Sequence, residues 1–154
     1  MRRYFLALAA AAARALPALA ERIYGLTNLQ DLVTFDGDIR TVTATAPLAG
    51  FSITGKILVS VDVLPATGEL YGLSNQNNIY KINPLTCLRT QVGGTLSVAP
   101  MGNLKAIDFN PTVDRIRLVS SGGQPNILRV HPDTCAVVMT DGTLSFIEGM
   151  GDPN

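Results

Sequence analysis

The chain has 154 residues, a length typical of one domain, and its 12 basic residues balance its 12 acidic residues. The first twenty residues hold three of the basic residues and are mostly apolar, so residues 21–154 carry a net charge of −3. This composition excludes a disordered, collagenous or coiled-coil protein, and the acidic balance argues against a nucleic-acid partner.

Residues 1–20 have the three parts of an export signal. Arg2 and Arg3 precede ten uninterrupted apolar residues, and Ala18-Leu19-Ala20 comes directly before Glu21. A positive start, an apolar stretch and small residues at the end are typical of a secretory signal peptide. A membrane span needs roughly 20 apolar residues, and this stretch is shorter. We therefore expect cleavage before Glu21, no stable membrane span after cleavage, and a secreted or periplasmic domain over residues 21–154.

The route of export stays open between two signals. Arg2-Arg3 followed by Tyr4-Phe5-Leu6 also resembles a twin-arginine signal, although it lies unusually close to Met1. A basic residue late in the segment, here Arg14, is a known feature of twin-arginine signals. An uncleaved surface helix is a further alternative, but the alanine run shows no polar face.

A repeat with a period of about 46 residues organises the rest of the chain. Ile23–Leu26 (IYGL) matches Leu70–Leu73 (LYGL), and Ile116–Val119 (IRLV) is the third counterpart. Each copy contains short β-branched or aromatic runs bounded by Pro, Gly or Asn, which predict strands. In the second copy the predicted strands are Lys56–Leu64, Glu69–Ser74, Asn78–Asn83 and Leu88–Gly93. Four strands per 40 to 50 residues are typical of β-propeller blades.

Several of these strings are specific enough to suggest a family. They are Pro65–Leu73 (PATGELYGL), Ile79–Pro84 (IYKINP) and Ile107–Ser120 (IDFNPTVDRIRLVS). They resemble the exported domain-of-unknown-function family 4394 over essentially all of residues 22–154. The resemblance implies a propeller-like all-β fold and export, and it implies no reaction.

We expect an all-β fold of four-stranded antiparallel units in a β-propeller-like array of three units, with the ring incomplete. Closed propellers have about 4 to 8 blades, and an open row of strands invites association. Members of the family are usually longer than this chain. The chain is therefore interpreted as a fragment or incomplete gene model, as a protein that self-associates through open sheet edges, or as an open curved array.

Asp62 and Asp108 occupy the same repeat position, three residues before a proline. We expect each carboxylate to accept hydrogen bonds from backbone N–H groups of the adjacent turn and so to pin one strand to the next. A calcium site is the alternative, but a hard cation takes six or more oxygen ligands and two aspartates supply too few. The sequence indicates no metal site and no cofactor.

Arg115 and Arg117 lie on one face of a predicted strand, with Asp114 on the other. Two interpretations remain open for this densest charge cluster of the domain. The arginines form a solvated strand surface, or they contact an anion such as a sugar acid.

Cys87 and Cys135 lie at equivalent turn positions, 48 residues apart. An even number of cysteines in an exported chain suggests a disulfide. Equivalent turns on neighbouring blades should diverge, however, and a bridge needs Cα atoms within about 7 Å. Free thiols and bonds to other chains are the alternatives. His131 lies at the turn position of Asn83, so we expect a turn residue rather than a catalytic one.

Residues 21–154 show no convergent set of His, carboxylates or metal ligands, so no catalytic residue is assigned. The sequence therefore favours an exported, non-catalytic binding or scaffold module with an unidentified extracellular ligand or protein as its partner. Whether it is an enzyme stays open, with the balance towards no. The alternative is a fragment of an exported propeller enzyme, of the sugar-acid or lactone hydrolase class, whose site is completed by missing blades or a partner chain.

Overall fold

A computed structural model describes residues 22–38, 40–50, 55–122 and 127–142, and the expected signal peptide lies outside these residues. The described residues form strands and no helix, so none of them contributes a helix that could cross a membrane. The strands are β1 (Arg22–Leu26), β2 (Asp31–Asp36), β3 (Thr41–Pro47), β4 (Leu58–Leu64), β5 (Glu69–Ser74), β6 (Asn78–Ile82), β7 (Arg89–Thr95), β8 (Lys105–Asn110), β9 (Arg115–Ser120), β10 (Ile127–Val130) and β11 (Val137–Thr140).

Strands that follow one another in the chain pair into three antiparallel sheets. The first sheet contains β1 to β3, the second β4 to β7 and the third β8 to β11. The fold is thus all-β, with propeller-like repeats and three units that do not close a ring. In the second unit, β5 has the predicted bounds and the other three strands differ from theirs by at most two residues. The fold prediction is confirmed.

The second sheet lies between the other two, and its burial follows from that position. All five residues from Leu70 to Ser74 in β5 are buried. In β8, by contrast, Ile107 and Phe109 are buried while Ala106 and Asp108 are exposed. Side chains alternate across a strand, so a sheet covered on both faces buries a continuous run and a terminal sheet buries every second residue.

Two apolar clusters fill the spaces between the sheets. The cluster between the second and third sheets contains Tyr71 and Phe109, whose rings meet edge to face with centroids 5.1 Å apart. The cluster between the first and second sheets includes Leu32, Tyr80 and Ile82. Burial of these side chains stabilises each sheet against the next, at about 25 cal/mol per Å² of apolar surface.

Gly72, the glycine of the repeated Tyr-Gly-Leu string, allows this packing. A Cβ at Gly72 would lie 2.9 Å from Leu58 Cδ1 and 3.1 Å from Ile82 Cδ1. These distances are too short for ordinary contact in a close-packed interior. A side chain at this position would therefore force Leu58 and Ile82 to shift, whereas the third copy holds Leu118 at the equivalent position.

Equivalent cross-strand rows run across the second and third sheets. The inner row, in the second sheet, faces the third sheet and consists of Asp62, Tyr71 and Lys81. The outer row, in the third sheet, faces away from the second sheet and consists of Asp108, Arg117 and Arg129. The two rows occupy the same repeat positions, so they can be compared residue by residue.

Candidate functional site

Side chains of β4 bind the backbone of β8 and thereby join the second and third sheets. Asp62 Oδ2 accepts a hydrogen bond from the N–H of Phe109 at 2.7 Å, and Ser60 Oγ accepts one from the N–H of Ile107 at 3.1 Å. The expected bond of Asp62 to its adjacent turn is thus replaced by a bond to the next sheet. The reason is strand alternation, which points Asp62 out of its own sheet and towards its neighbour.

Asp108, the counterpart of Asp62, has no such neighbour. It lies in the outer row and is exposed, and no described residue donates a hydrogen bond to its carboxylate. The repeat therefore places the same carboxylate at a closed interface in one sheet and at an open face in the other.

A charged cluster forms around Glu69 at the rim of the same interface. Lys81 Nζ donates to Glu69 Oε1 at 2.9 Å, and the hydroxyls of Thr67 and Tyr71 lie 3.1 and 3.4 Å from Glu69 Oε2. The Lys81 ammonium holds the pKa of the Glu69 carboxyl below its ordinary value, and Glu69 in turn raises the pKa of Lys81. Burial raises the pKa of the Tyr71 hydroxyl. At neutral pH the cluster is a paired carboxylate and ammonium beside a neutral phenol.

Lys81 also reaches the third sheet. Its Nζ lies 3.5 Å from Asp133 Oδ1 and 5.4 Å from the centre of the Tyr71 ring. His131 Nδ1 accepts a hydrogen bond from the N–H of Asp133 at 3.2 Å. His131 is therefore used by its own turn, in the same way that Asn83 Oδ1 accepts the N–H of Leu85 in the second unit.

The first and second sheets are joined by polar side chains that sequence reasoning missed. The Gln30 side chain accepts the N–H of Leu58 at 2.7 Å and donates to the Leu58 carbonyl at 3.0 Å. Gln30 has a φ of 68°, as does its repeat counterpart Asn77 approximately, at 61°. The sequence shows an amide side chain at the equivalent turn position of both units, which is typical of a left-handed turn. It does not show which backbone group the amide binds.

The Arg89 guanidinium is buried and also joins these two sheets. Its Nε donates to the Ala49 carbonyl at 3.0 Å, and its Nη2 donates to the Leu48 carbonyl at 3.1 Å. Burial lowers the pKa of Arg89. An arginine in a strand gives no sequence signal for this role, because most arginines are exposed.

The strand β1 has an open edge, in contrast to its counterparts in the other sheets. β5 pairs with β4 and β6, and β9 pairs with β8 and β10, whereas β1 pairs with β2 alone among the described strands. A cavity of about 470 Å³ borders β1, and it is lined by residues 22–24 of β1, residues 61–63 of β4, Gly68 and Leu70. An edge strand presents unpaired N–H and C=O groups that can pair with another chain. This edge and cavity together are the candidate binding site.

Two further cavities adjoin the candidate site, of about 760 and 590 Å³. Both have Arg22 in their walls, as the first cavity does. The larger cavity is lined by Thr34, Asp36 and Thr43 of the first sheet and by Pro84 and Leu85 of the second. The space between the first and second sheets is therefore open on one side, where both polar and apolar residues line it.

The two arginines considered as anion contacts have different surroundings. Arg115 Nη1 donates to the carbonyls of Val113 and Asp114, at 3.3 and 3.1 Å, so it is engaged by its own turn. Arg117 is exposed and lies opposite Asp108 and Arg129 in the register of the third sheet. An anion contact at these residues stays a prediction.

Cys87 and Cys135 are both free and buried. They belong to different apolar clusters, Cys87 between the first and second sheets and Cys135 between the second and third. Both have positive φ, 55° and 60°, at the end of equivalent turns. Burial raises the pKa of the Cys135 thiol, which keeps it in the less reactive protonated form.

No group of three or more His, Cys, Asp or Glu side chains that could hold a metal ion occurs among the described residues. The arrangement of the site therefore offers backbone hydrogen-bonding groups, a cavity and one exposed cation, Arg22.

The fold and the site define an all-β repeat protein of propeller-like architecture. The family model described as Domain of unknown function (DUF4394) matches residues 31–154, and the chain belongs to this family. The resemblance noted from the sequence is confirmed. The match begins at β2, so β1 lies outside the matched residues.

Two solved structures are similar to part of this chain at low sequence identity. One is the hydrazine synthase of Kuenenia stuttgartiensis, with 13% identity over 71% of this chain and 28% of that chain, and a TM-score of 0.45. Another is a protein of unknown function from Bacteroides caccae, with 16% identity over 76% of this chain and 39% of that chain, and a TM-score of 0.46. The chain thus spans well under half of either protein. No curated protein matches the chain.

Proposed function

We propose that this protein is an exported, non-catalytic module that binds an extended polypeptide segment along the open edge of β1. The observation that supports the proposal is the unpaired edge of β1 beside a cavity between β1 and β4. Addition of a strand to an exposed sheet edge is a general mode of peptide recognition, in which backbone bonds give affinity and side-chain pockets give specificity.

The other two sheets indicate what the segment would look like. In each of them a strand pairs antiparallel with the counterpart of β1, and in the second sheet this strand is β4. Asp62 and Ser60 of β4 accept N–H groups of the next sheet. By analogy, a segment bound on β1 would lie antiparallel to it. The segment would carry a side chain with an oxygen that accepts a backbone N–H of β4.

The hydrolase alternative would need a carboxylate, histidine or metal free to act on a substrate. Among the described residues, Lys81 pairs with Glu69 and Asp133. The Arg129 guanidinium pairs with both carboxylate oxygens of Asp141, at 2.7 and 3.3 Å. A carboxylate that accepts three hydrogen bonds and has a lowered pKa is a poor proton acceptor at neutral pH. These contacts favour binding over catalysis as the proposed role.

A peptide copied from this chain tests the proposal directly. A labelled peptide with the sequence of residues 56–66, which includes β4, should bind the protein and raise its fluorescence anisotropy. Hydrogen exchange should slow at the amides of β1. The matched control is the same peptide with an N-methyl group on the backbone nitrogen of Asp62, which removes an N–H that points to the paired strand and should weaken binding at least tenfold.

The location of the protection separates specific strand addition from general stickiness. Slower exchange at β1 alone supports the proposal. Slower exchange at the other edge strands of the described sheets, which are β3, β4, β7, β8 and β11, would contradict it, and so would equal binding of the N-methylated peptide.

Export has its own test. The N-terminal sequence of the protein recovered outside the cytoplasm should begin at Glu21. Recovery of a soluble cytosolic product that retains Met1 would contradict the signal-peptide prediction while leaving the strand-binding proposal standing.

A further inference from the structure

The first sheet exposes an apolar surface that is buried in the other two sheets. This first-sheet patch is a cross-strand row of Ile23, Phe35 and Val42. Its repeat counterparts are Leu70 and Ile82 in the second sheet and Ile116 and Val130 in the third sheet. The counterparts are at most 4% exposed, whereas Ile23 and Val42 are 53% and 49% exposed. The patch is therefore a surface of the kind that another sheet covers elsewhere in the molecule.

In the existing interface, the inner row of the second sheet packs against the third sheet, where Tyr71 packs against Phe109. The outer row holds the same repeat positions in the third sheet, at the opposite end of the array, and faces away from the second sheet. The first-sheet patch and the outer row therefore correspond to the two surfaces that meet between the second and third sheets.

The charges at the two ends are also complementary. Across the existing interface, Lys81 lies 3.5 Å from Asp133. Arg129 in the outer row holds the repeat position of Lys81, and it pairs with Asp141 of its own unit at 2.7 Å, as Lys81 pairs with Glu69. Asp38 in the first unit holds the repeat position of Asp133.

The turn geometry supports the equivalence of Asp38 and Asp133. The N–H of Asp38 donates to Asp36 Oδ1 at 2.9 Å, as the N–H of Asp133 donates to His131 Nδ1. Both turns end in a residue with positive φ, 51° at Arg40 and 60° at Cys135. Asp38 is exposed, so its carboxylate is accessible to a partner.

We propose that a second copy of this chain docks head to tail, with the outer row of one copy on the first-sheet patch of the other and Arg129 facing Asp38. The described residues of two copies form six sheets, which lies within the range of closed propellers, about 4 to 8 blades. Two such contacts, related by a twofold axis, would close the ring. This inference uses the sheet faces and does not depend on strand binding at β1.

Sedimentation of the purified chain tests the proposal with a charge swap. The chain should sediment as a dimer. Arg129→Glu and Asp38→Lys should each weaken dimerisation by about tenfold or more, since like charges then face each other, and the double variant should recover most of the loss. Arg129→Glu also loses the ion pair with Asp141, so urea unfolding of each variant in dilute solution should separate a less stable single copy from a weaker dimer.

Leu85→Lys is the matched control. Leu85 is 84% exposed, and in the second unit it holds the turn position that Asp38 holds in the first. A lysine at position 85 should therefore leave dimerisation unchanged. Three outcomes would overturn the docking. The chain could stay monomeric at all concentrations, the single charge reversals could leave the dimer affinity unchanged, or the double variant could dimerise as weakly as the single variants. Open-ended polymers sensitive to both residues would overturn the closed ring.

Discussion

The inner row and the outer row occupy the same repeat positions, but another described sheet packs only on the inner row. Their residues differ accordingly. In the inner row the central residue is Tyr71, fully buried against Phe109. In the outer row the same position is Arg117, which is exposed. The aspartate is kept in both rows, as Asp62 and Asp108, although among the described residues a backbone N–H donates to Asp62 and none donates to Asp108.

The difference shows which residues of the repeat depend on contact with a neighbouring sheet and which occur in both rows. A tyrosine buries about 150 to 250 Å², so it is useful only where another sheet covers it. An arginine at a face that no described sheet covers keeps that face charged and hydrated. The outer row therefore suits solvent, and it also suits a docking partner of opposite charge.

The largest expected effect comes from breaking the aromatic contact of the inner row. Tyr71→Ala should lower the free energy of unfolding by about 3 to 5 kcal/mol, since it removes a fully buried ring and its contact with Phe109. Arg117→Ala, at the equivalent outer position, should change it by less than about 0.5 kcal/mol. Urea unfolding in dilute solution, where copies are separate, measures both values. Equal losses would mean that the outer row is also covered.

An intermediate effect is expected from the two aspartates. Asp62→Ala should lower the free energy of unfolding by about 1 to 3 kcal/mol, because the N–H of Phe109 loses its acceptor in a partly buried place. Exchange of the Phe109 amide should become faster. Asp108→Ala should have an effect below about 0.5 kcal/mol. A comparable loss at Asp108 would show that the repeat aspartate acts within its own sheet, as the sequence suggested.

The strands of the repeat could be predicted from the sequence because their signals are local. β5 has its predicted bounds, set by the glycine turn before Glu69 and the Asn residues after Ser74. The partner of Asp62 could not be predicted in this way. Alternation tells which residues share a face, but only the stacking of sheets tells what that face meets.

The charged cluster could have been found from the repeat alignment. Lys81 and Arg129 align as bases, and Asp38 and Asp133 align as acids in the equivalent turns. The aligned positions become informative only when the sheets are known to stack in chain order, which brings Lys81 to Asp133. Gln30 and Arg89 had no such pattern, because each binds backbone carbonyls or amides that the sequence does not distinguish.

The smallest effect concerns pH and the ion pair at the rim of the inner row. The Lys81 ammonium lowers the pKa of Glu69 in the folded state, so this contribution to stability is present above the unfolded pKa and is lost as the pH falls through the folded value. The side chains of Lys81 and Glu69 are 36% and 42% exposed, which limits the pair to less than about 1 kcal/mol.

Unfolding by urea at neutral and acidic pH should show this loss in the unaltered chain. Lys81→Met and Glu69→Gln should each remove the same part of the pH dependence, and the double variant should remove no more than either, since both residues belong to one pair. Additive effects would show that Asp133, 3.5 Å from Lys81, carries a separate share. In that case the link between the sheets, rather than the pair within the second sheet, would dominate at the inner row.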